Sequence, residues 1–146
     1  MSVGERTTPE LLAQLAEVVD ELRRRGLEGA AADPAGSFAR WLVSALLGGR
    51  PAGPGRTYDV LDADGERVAV LLAESGQFRL RSWGFDVAAF VELRGGTQVE
   101  RLVLVPRATV QQNAARDTHG PVVALAALGG AGRDLTREAR EAASSG

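Results

Sequence analysis

The residues of this chain best able to do chemistry are carboxylates gathered in one stretch, Thr57–Glu74, TYDVLDADGERVAVLLAE. Paired carboxylates hold a divalent cation, and such a cation polarises a phosphate or activates a water. Asp59 is the first of them and follows Tyr58. Asp62, Asp64 and Glu66 surround Gly65, where acidic residues favour a turn for conformational reasons alone. Glu74 stands three residues past Leu71, on the opposite face of a regular strand. Asp86 follows Phe85 at the head of an apolar run and reads as a structural carboxylate. Asp117 and His119, with Asn113, have acid–base character, but no nucleophile accompanies them. A lone histidine before Gly120-Pro121 reads as a loop residue. Arginine forms the last group. Arg40, Arg50, Arg56, Arg79, Arg81 and Arg107 are candidates for nucleic-acid contact, because a guanidinium binds phosphate bidentately without a metal.

The stretch that carries Asp59 reads as a β-hairpin, with Tyr58–Leu61 running into the turn and Val68–Leu72 running back. A turn spanning Asp62–Glu66 sets Asp59 opposite Ala69. Upstream, a Thr7 or Thr8 cap and Pro9 open a helix over 7–26. Leu11, Leu12, Leu15, Val18, Val19 and Leu22 give it one apolar stripe. Its end, Arg23-Arg24-Arg25-Gly26, reads as a charged, solvated terminus with glycine at C′. Asp33-Pro34 opens a second helix over 34–47, with Phe38, Trp41, Leu42, Ala45 and Leu46 on its apolar face. Arg50–Arg56 reads as a stiff Pro/Gly loop.

The sheet core is expected over 57–105. Its centre is the apolar strand Phe85–Leu93, with an antiparallel partner Gln98–Val105 beyond the Gly95-Gly96 turn. Residues 77–82 read equally as a strand or a basic loop, and 121–127 as a strand or a buried loop. A C-terminal helical region is expected over 107–143, with a Gly129–Gly132 spacer, an Asp134 cap and fraying from Ser144. The order is α-α-β-β-(β)-β-β-α-(β)-α: one α+β domain over 1–146, a mostly antiparallel central sheet flanked by helices.

The composition removes whole classes of chemistry. Cysteine is absent, which excludes disulfides, thiolate zinc and cysteine nucleophiles. All 17 basic residues are arginine, so a Schiff-base lysine and a P-loop lysine are excluded too. The excess of Ala, Gly, Arg, Val and Leu also matches coding by a GC-rich genome. A net charge of −2 supplies no overall field for nucleic acid or an anionic membrane, so such binding needs a local patch. The opening MSVGERTTPE lacks a basic-then-apolar signal pattern and no 18-residue apolar run follows. A cytoplasmic protein without membrane partners is the expectation.

In sequence order, helix, Gly48-Gly49, Pro-rich loop, Tyr58-Asp59, hairpin turn, returning strand and Phe85-Asp86 strand are similar to the PD-(D/E)xK restriction-endonuclease-like superfamily. The chain resembles a small uncharacterised bacterial domain family of that fold over residues 10 to 143. The resemblance extends to Asp134-Leu135-Thr136, which matches the family's closing motif. It implies that Asp59 is a remnant metal ligand. Ser37, Ala69 and Leu71 stand where that family has Glu, Gln/Glu and Lys. Alanine and leucine bind no metal, so the resemblance implies a nuclease fold that no longer cuts.

Three readings follow. One is a catalytically inactive interaction or scaffold module, either a homodimer or the partner of another protein. Trp41 and Trp83 then read as core or interface anchors. Another is a non-catalytic DNA- or RNA-binding domain that uses the arginines in a groove. The last is a metal-dependent endonuclease with migrated ligands, the one reading that calls for Mg2+. Neither of the others needs a cofactor.

Overall fold

The computed structural model describes residues 2–53, 55–73, 76–128 and 130–145. A short 3-10 helix at Val3–Glu5 precedes α1, Thr8–Arg24. The Thr7 hydroxyl accepts from Glu10 N, as its T-x-x-E spacing to Glu10 favours. At the other end Arg25 is the C-cap and Gly26 takes φ +92°. The Leu27 N–H reaches back to Leu22 O at 2.9 Å and the Gly26 N–H to Arg23 O at 3.0 Å. This is a Schellman ending, which needs a left-handed residue at C′ and hence glycine. Leu22 and Leu27 share a recess with Phe38 and Trp41, so α1 is anchored by its C-terminal end. No residue of α1 is buried.

Helix α2, Pro34–Leu46, starts where the Asp33 carboxylate accepts from Gly36 N. It buries Ala39, Leu42 and Val43. Strand β1 (Arg50–Pro51) pairs antiparallel with β2 (Val60–Leu61), and β2 with β3 (Arg67–Leu72). The sequence suggested a loop over 50–56. Gly49 lets this segment approach, because a Cβ there would overlap the Leu61 carbonyl oxygen. Pro51 is tolerated in β1 because the strand lies at the sheet edge. The hairpin turn falls at Asp62–Glu66 as expected, and the Asp62 carboxylate accepts from Asp64 N and Glu66 N. The first strand is shorter than its pattern: only Val60 and Leu61 are regular.

Strand β4 (Gln77–Arg79) leaves this sheet, and β5 (Val87–Arg94) returns to pair parallel with β3. Strand β6 (Gln98–Pro106) runs antiparallel to β5 across Gly95-Gly96, with a bulge at Glu92/Leu93. Helix α3 (Arg107–Asn113) follows, then β7 (Ala115–Asp117) and β8 (Gly120–Ala124). These two strands form a second, three-stranded sheet of order β4-β8-β7. The open segments are thus both strand in part, 77–79 and 120–124, and Leu125–Leu128 is 3-10 helix. Strand β9 (Arg133–Asp134) completes the main sheet, of order β1-β2-β3-β5-β6-β9, and α4 spans Thr136–Ser145. Ser144 and Ser145 remain helical, while Gly129 of the expected spacer, with Glu74, lies outside the described residues. Among the described residues the architecture is α+β, with four α-helices and a mixed sheet that contains one parallel pair.

Residue alternation along β3 and β5 divides the core between two faces. Ala69, Leu71, Ala88 and Phe90 join Phe78, Phe85 and Val123 on the side of the small sheet and α3. Val68, Ala89 and Val91 join Ala39, Leu42 and Val43 on the side of α2 and α4. Strand β5 is therefore buried on both faces, as its apolar run requires. Trp41 and Trp83 pack at the margins of these cores, Trp41 stacked on Phe38 and Trp83 tilted on Phe85.

Phe90 meets Phe78 edge-to-face at 4.8 Å, and it joins the two sheets. Phe90→Ala should lower the unfolding free energy by about 3–5 kcal/mol, read as a lower urea midpoint at unchanged slope.

Candidate functional site

The hairpin register sets the position of Asp59. With Val60 paired to Val68, and Asp59 N donating to Val68 O, Asp59 stands at the level of Ala69. Its two oxygens are engaged separately. Oδ2 accepts from Val70 N at 2.8 Å, and Oδ1 accepts from the Arg81 guanidinium at 2.7 Å. The carboxylate is 11% exposed while Arg81 is 68% exposed, so a solvated cation covers a largely buried acid. The Asp59 carboxylate is thus an N–H acceptor and an arginine partner at once.

Around this pair lies a cleft of about 350 Å3 between the start of α2 and the edge of β3. Arg40, Arg79 and Arg81 all line it, and each has a carboxylate partner. Arg40 faces Asp33 at 3.6 Å, and Arg79 grips Asp117 with two bonds of 2.8 and 2.9 Å. The arginines are thus prearranged by acids, which cancel most of their charge locally. The β3 edge forms the cleft floor. Strand β2 pairs with β3 only as far as Val68, so beyond the Val70 N–H no strand is paired to that side among the described residues.

The other sequence candidates are dispersed. Arg50 and Arg56 are exposed away from the cleft, and Arg107 lies at the head of α3 with one long bond to Trp83 O at 3.5 Å. Ser37 is buried and donates to Glu28 O at 2.7 Å. Ala69 and Leu71 are core residues on the small-sheet face. Asn113 donates to Thr109 O, and His119 meets Asp117 through its backbone N–H, so neither side chain faces a common reaction centre. The Arg23–Arg25 triplet is exposed and pairs with Asp20 and Glu21, as a solvated helix end should. Among the described residues no group of three His, Cys, Asp or Glu is arranged to hold a metal, and no helix is long and apolar enough to cross a membrane.

A larger hollow of about 610 Å3 lies elsewhere, among Phe38, Thr97, Val99, Arg140 and Ser144. The Arg140 guanidinium there donates to Val99 O and Glu100 O, tying α4 to β6. That is a structural use of the cation. Asp33 is the cleft residue that sequence reading assigned only as a cap. Its second role toward Arg40 rests on proximity in space, and no local pattern marks it.

The most strongly perturbed carboxylates hold the fold together. Hydrogen bonds from the Arg67 side chain, then from its backbone N–H, lower the Asp86 carboxyl from 3.8 to about 2. The Arg79 guanidinium, helped by the His119 N–H, holds Asp117 well below the usual carboxylate range. Thr136, through its hydroxyl and then its N–H, lowers Asp134. No protein-family model matches this chain, and no curated protein was found to match it.

A depressed folded-state pKa stabilises above the unfolded value and ceases to do so as pH falls through the folded value. Asp86→Asn should therefore be less stable than the parent at neutral pH. The gap should close between about pH 4 and pH 2, where the parent carboxylate protonates. Paired urea titrations across that range test this, and a gap independent of pH would show that the ion pair adds nothing.

Proposed function

We propose that this protein is a non-catalytic interaction module, a nuclease-like scaffold that binds another protein surface through α1. One observation carries the reading: a 17-residue amphipathic helix has no buried residue, and Leu12, Leu15 and Val18 are 61%, 52% and 49% exposed. An uncovered helix of this length is only marginally stable in water, so a helix built with a continuous apolar stripe implies a surface that covers it. The former metal positions agree with the loss of chemistry. Leu71 and Ala69 belong to the core, and Asp59 is spent on Val70 and Arg81.

A second reading, nucleic-acid binding, is favoured by the convergence of Arg40, Arg79 and Arg81 on one cleft. The carboxylate partners of these arginines weigh against it, because a phosphate must displace Asp33, Asp59 or Asp117 to reach them. Catalysis with Mg2+ has no comparable support.

Two measurements separate these readings. Dilute protein in hydrogen exchange should lose α1 amide protection much faster than α2 or β5, and slow exchange of α1 would mean that its own chain covers it. In the same dilute protein, where nothing covers α1, Leu12→Glu, Leu15→Glu and Val18→Glu should each leave the unfolding free energy within about 0.5 kcal/mol, as exposed positions do. With Mg2+ and a short duplex at low salt, the DNA should stay unbound and intact. A complex that dissolves as salt rises would favour the arginine cleft, and shortened DNA would end the non-catalytic reading.

A further inference from the structure

We infer that the surface covering α1 is the α1 of a second copy of this chain, packed antiparallel about a two-fold axis at Leu15. This rests on the interaction reading above and names its partner. Leu12, Leu15 and Val18 are exposed, Leu11 and Val19 beside them are half-buried, and the five are spaced symmetrically about Leu15. Leu22, the last of the stripe, is already engaged in the recess with Leu27, Phe38 and Trp41. A two-fold axis at Leu15 sets Leu15 against its own copy. It sets Leu11 against Val18 on one flank and Leu12 against Val19 on the other, so each of the five meets an apolar residue. That self-complementarity is what an isologous contact requires.

Charge selects the direction. The N-terminal end of this segment carries Glu5, Arg6 and Glu10, and the C-terminal end carries Asp20 and Glu21 beside Arg23, Arg24 and Arg25, so the first stays net negative and the second net positive after their local pairs are counted. Parallel helices would stack two arginine triplets side by side. Antiparallel helices bring each triplet toward the acidic end of the other copy and oppose the two helix dipoles.

Area asks for a further contact, since two helices of this length alone cover less than the roughly 800 Å2 per partner of a standard interface. Val3 is an apolar residue 65% exposed in the 3-10 helix before α1. It precedes Leu15 by twelve residues, as many as separate Leu15 from Leu27. In the antiparallel pair the end that carries Val3 lies toward the C-terminal end of the other α1, where Leu22, Leu27, Phe38 and Trp41 line a recess of about 130 Å3.

The absence of cysteine makes the test direct. Leu15→Cys alone should form a disulfide-linked dimer under mild oxidation. Leu12→Cys and Val19→Cys should cross-link only when mixed, because each alone lies too far from its own copy. Leu15→Glu should weaken self-association in light scattering by at least about tenfold, since two carboxylates would meet on the axis. Cross-linking of Leu12→Cys by itself would mean parallel helices and overturn the arrangement. A dimer that ignores Leu15→Glu and does not cross-link at 15 would also overturn it. A chain that stays monomeric at high concentration while its α1 amides exchange fast would sink self-pairing and leave the helix for a different protein. A monomer with slowly exchanging α1 amides would sink the interaction reading as well.

Discussion

The fold depends on the way the parallel pair β3–β5 is held in register. Antiparallel neighbours inherit their alignment from a hairpin turn, but parallel strands have none. Here β4 lies between the two strands in sequence and belongs to a different sheet. Asp86 does the aligning. Its carboxylate accepts the Arg67 N–H and both ends of the Arg67 guanidinium, and its own N–H donates to Arg67 O. Its carbonyl then accepts from Arg107 N, the first amide of α3. One residue thereby fixes where β3, β5 and α3 begin. A slip of one residue would exchange the faces of β3 and move Ala69 and Leu71 out of the phenylalanine cluster.

That alignment also determines what the Asp59 region can do. The side chains beside it on the returning strand are committed to a dry core, and the carboxylate is committed to a backbone N–H and an arginine. Both oxygens of that carboxylate are thereby engaged. What remains on its outer side is a cleft of paired charges, in which every arginine has a local acid. The uncovered apolar surface lies elsewhere, on a helix joined to the body through the left-handed glycines Gly26 and Gly29 and a leucine recess. Chemistry and exposed hydrophobic surface have separated in this molecule.

The parts of this organisation written in local chemistry were readable from the sequence. Asp62 and Gly65 marked a turn whose span gave the hairpin register, and hence the level of Asp59 beside Ala69. Gly95-Gly96 between two apolar runs gave β5 and β6. Thr7, Asp33 and Gly26 marked helix ends. Contacts between distant segments left no such marks. The Gln77–Arg81 alternation suits either sheet, so nothing in it says that Phe78 belongs with β8. The Arg50–Pro51 strand depends on a missing Cβ at Gly49, and the partner of Asp59 is an arginine 22 residues away. The α1 stripe was legible as a face, but periodicity names a face without naming what it meets.

The unpaired rim of β3 beyond Val68 has a consequence for the protein in concentrated solution. A bare strand edge is a template for another chain to dock and propagate a sheet. Here the Val70 amide is capped by an acid, while Arg40, Arg79 and Arg81 stand around the rim, each paired with a carboxylate. A stray strand would have to strip these charges before reaching the backbone. Asp59 and the arginines about it thus stand where they hinder such docking.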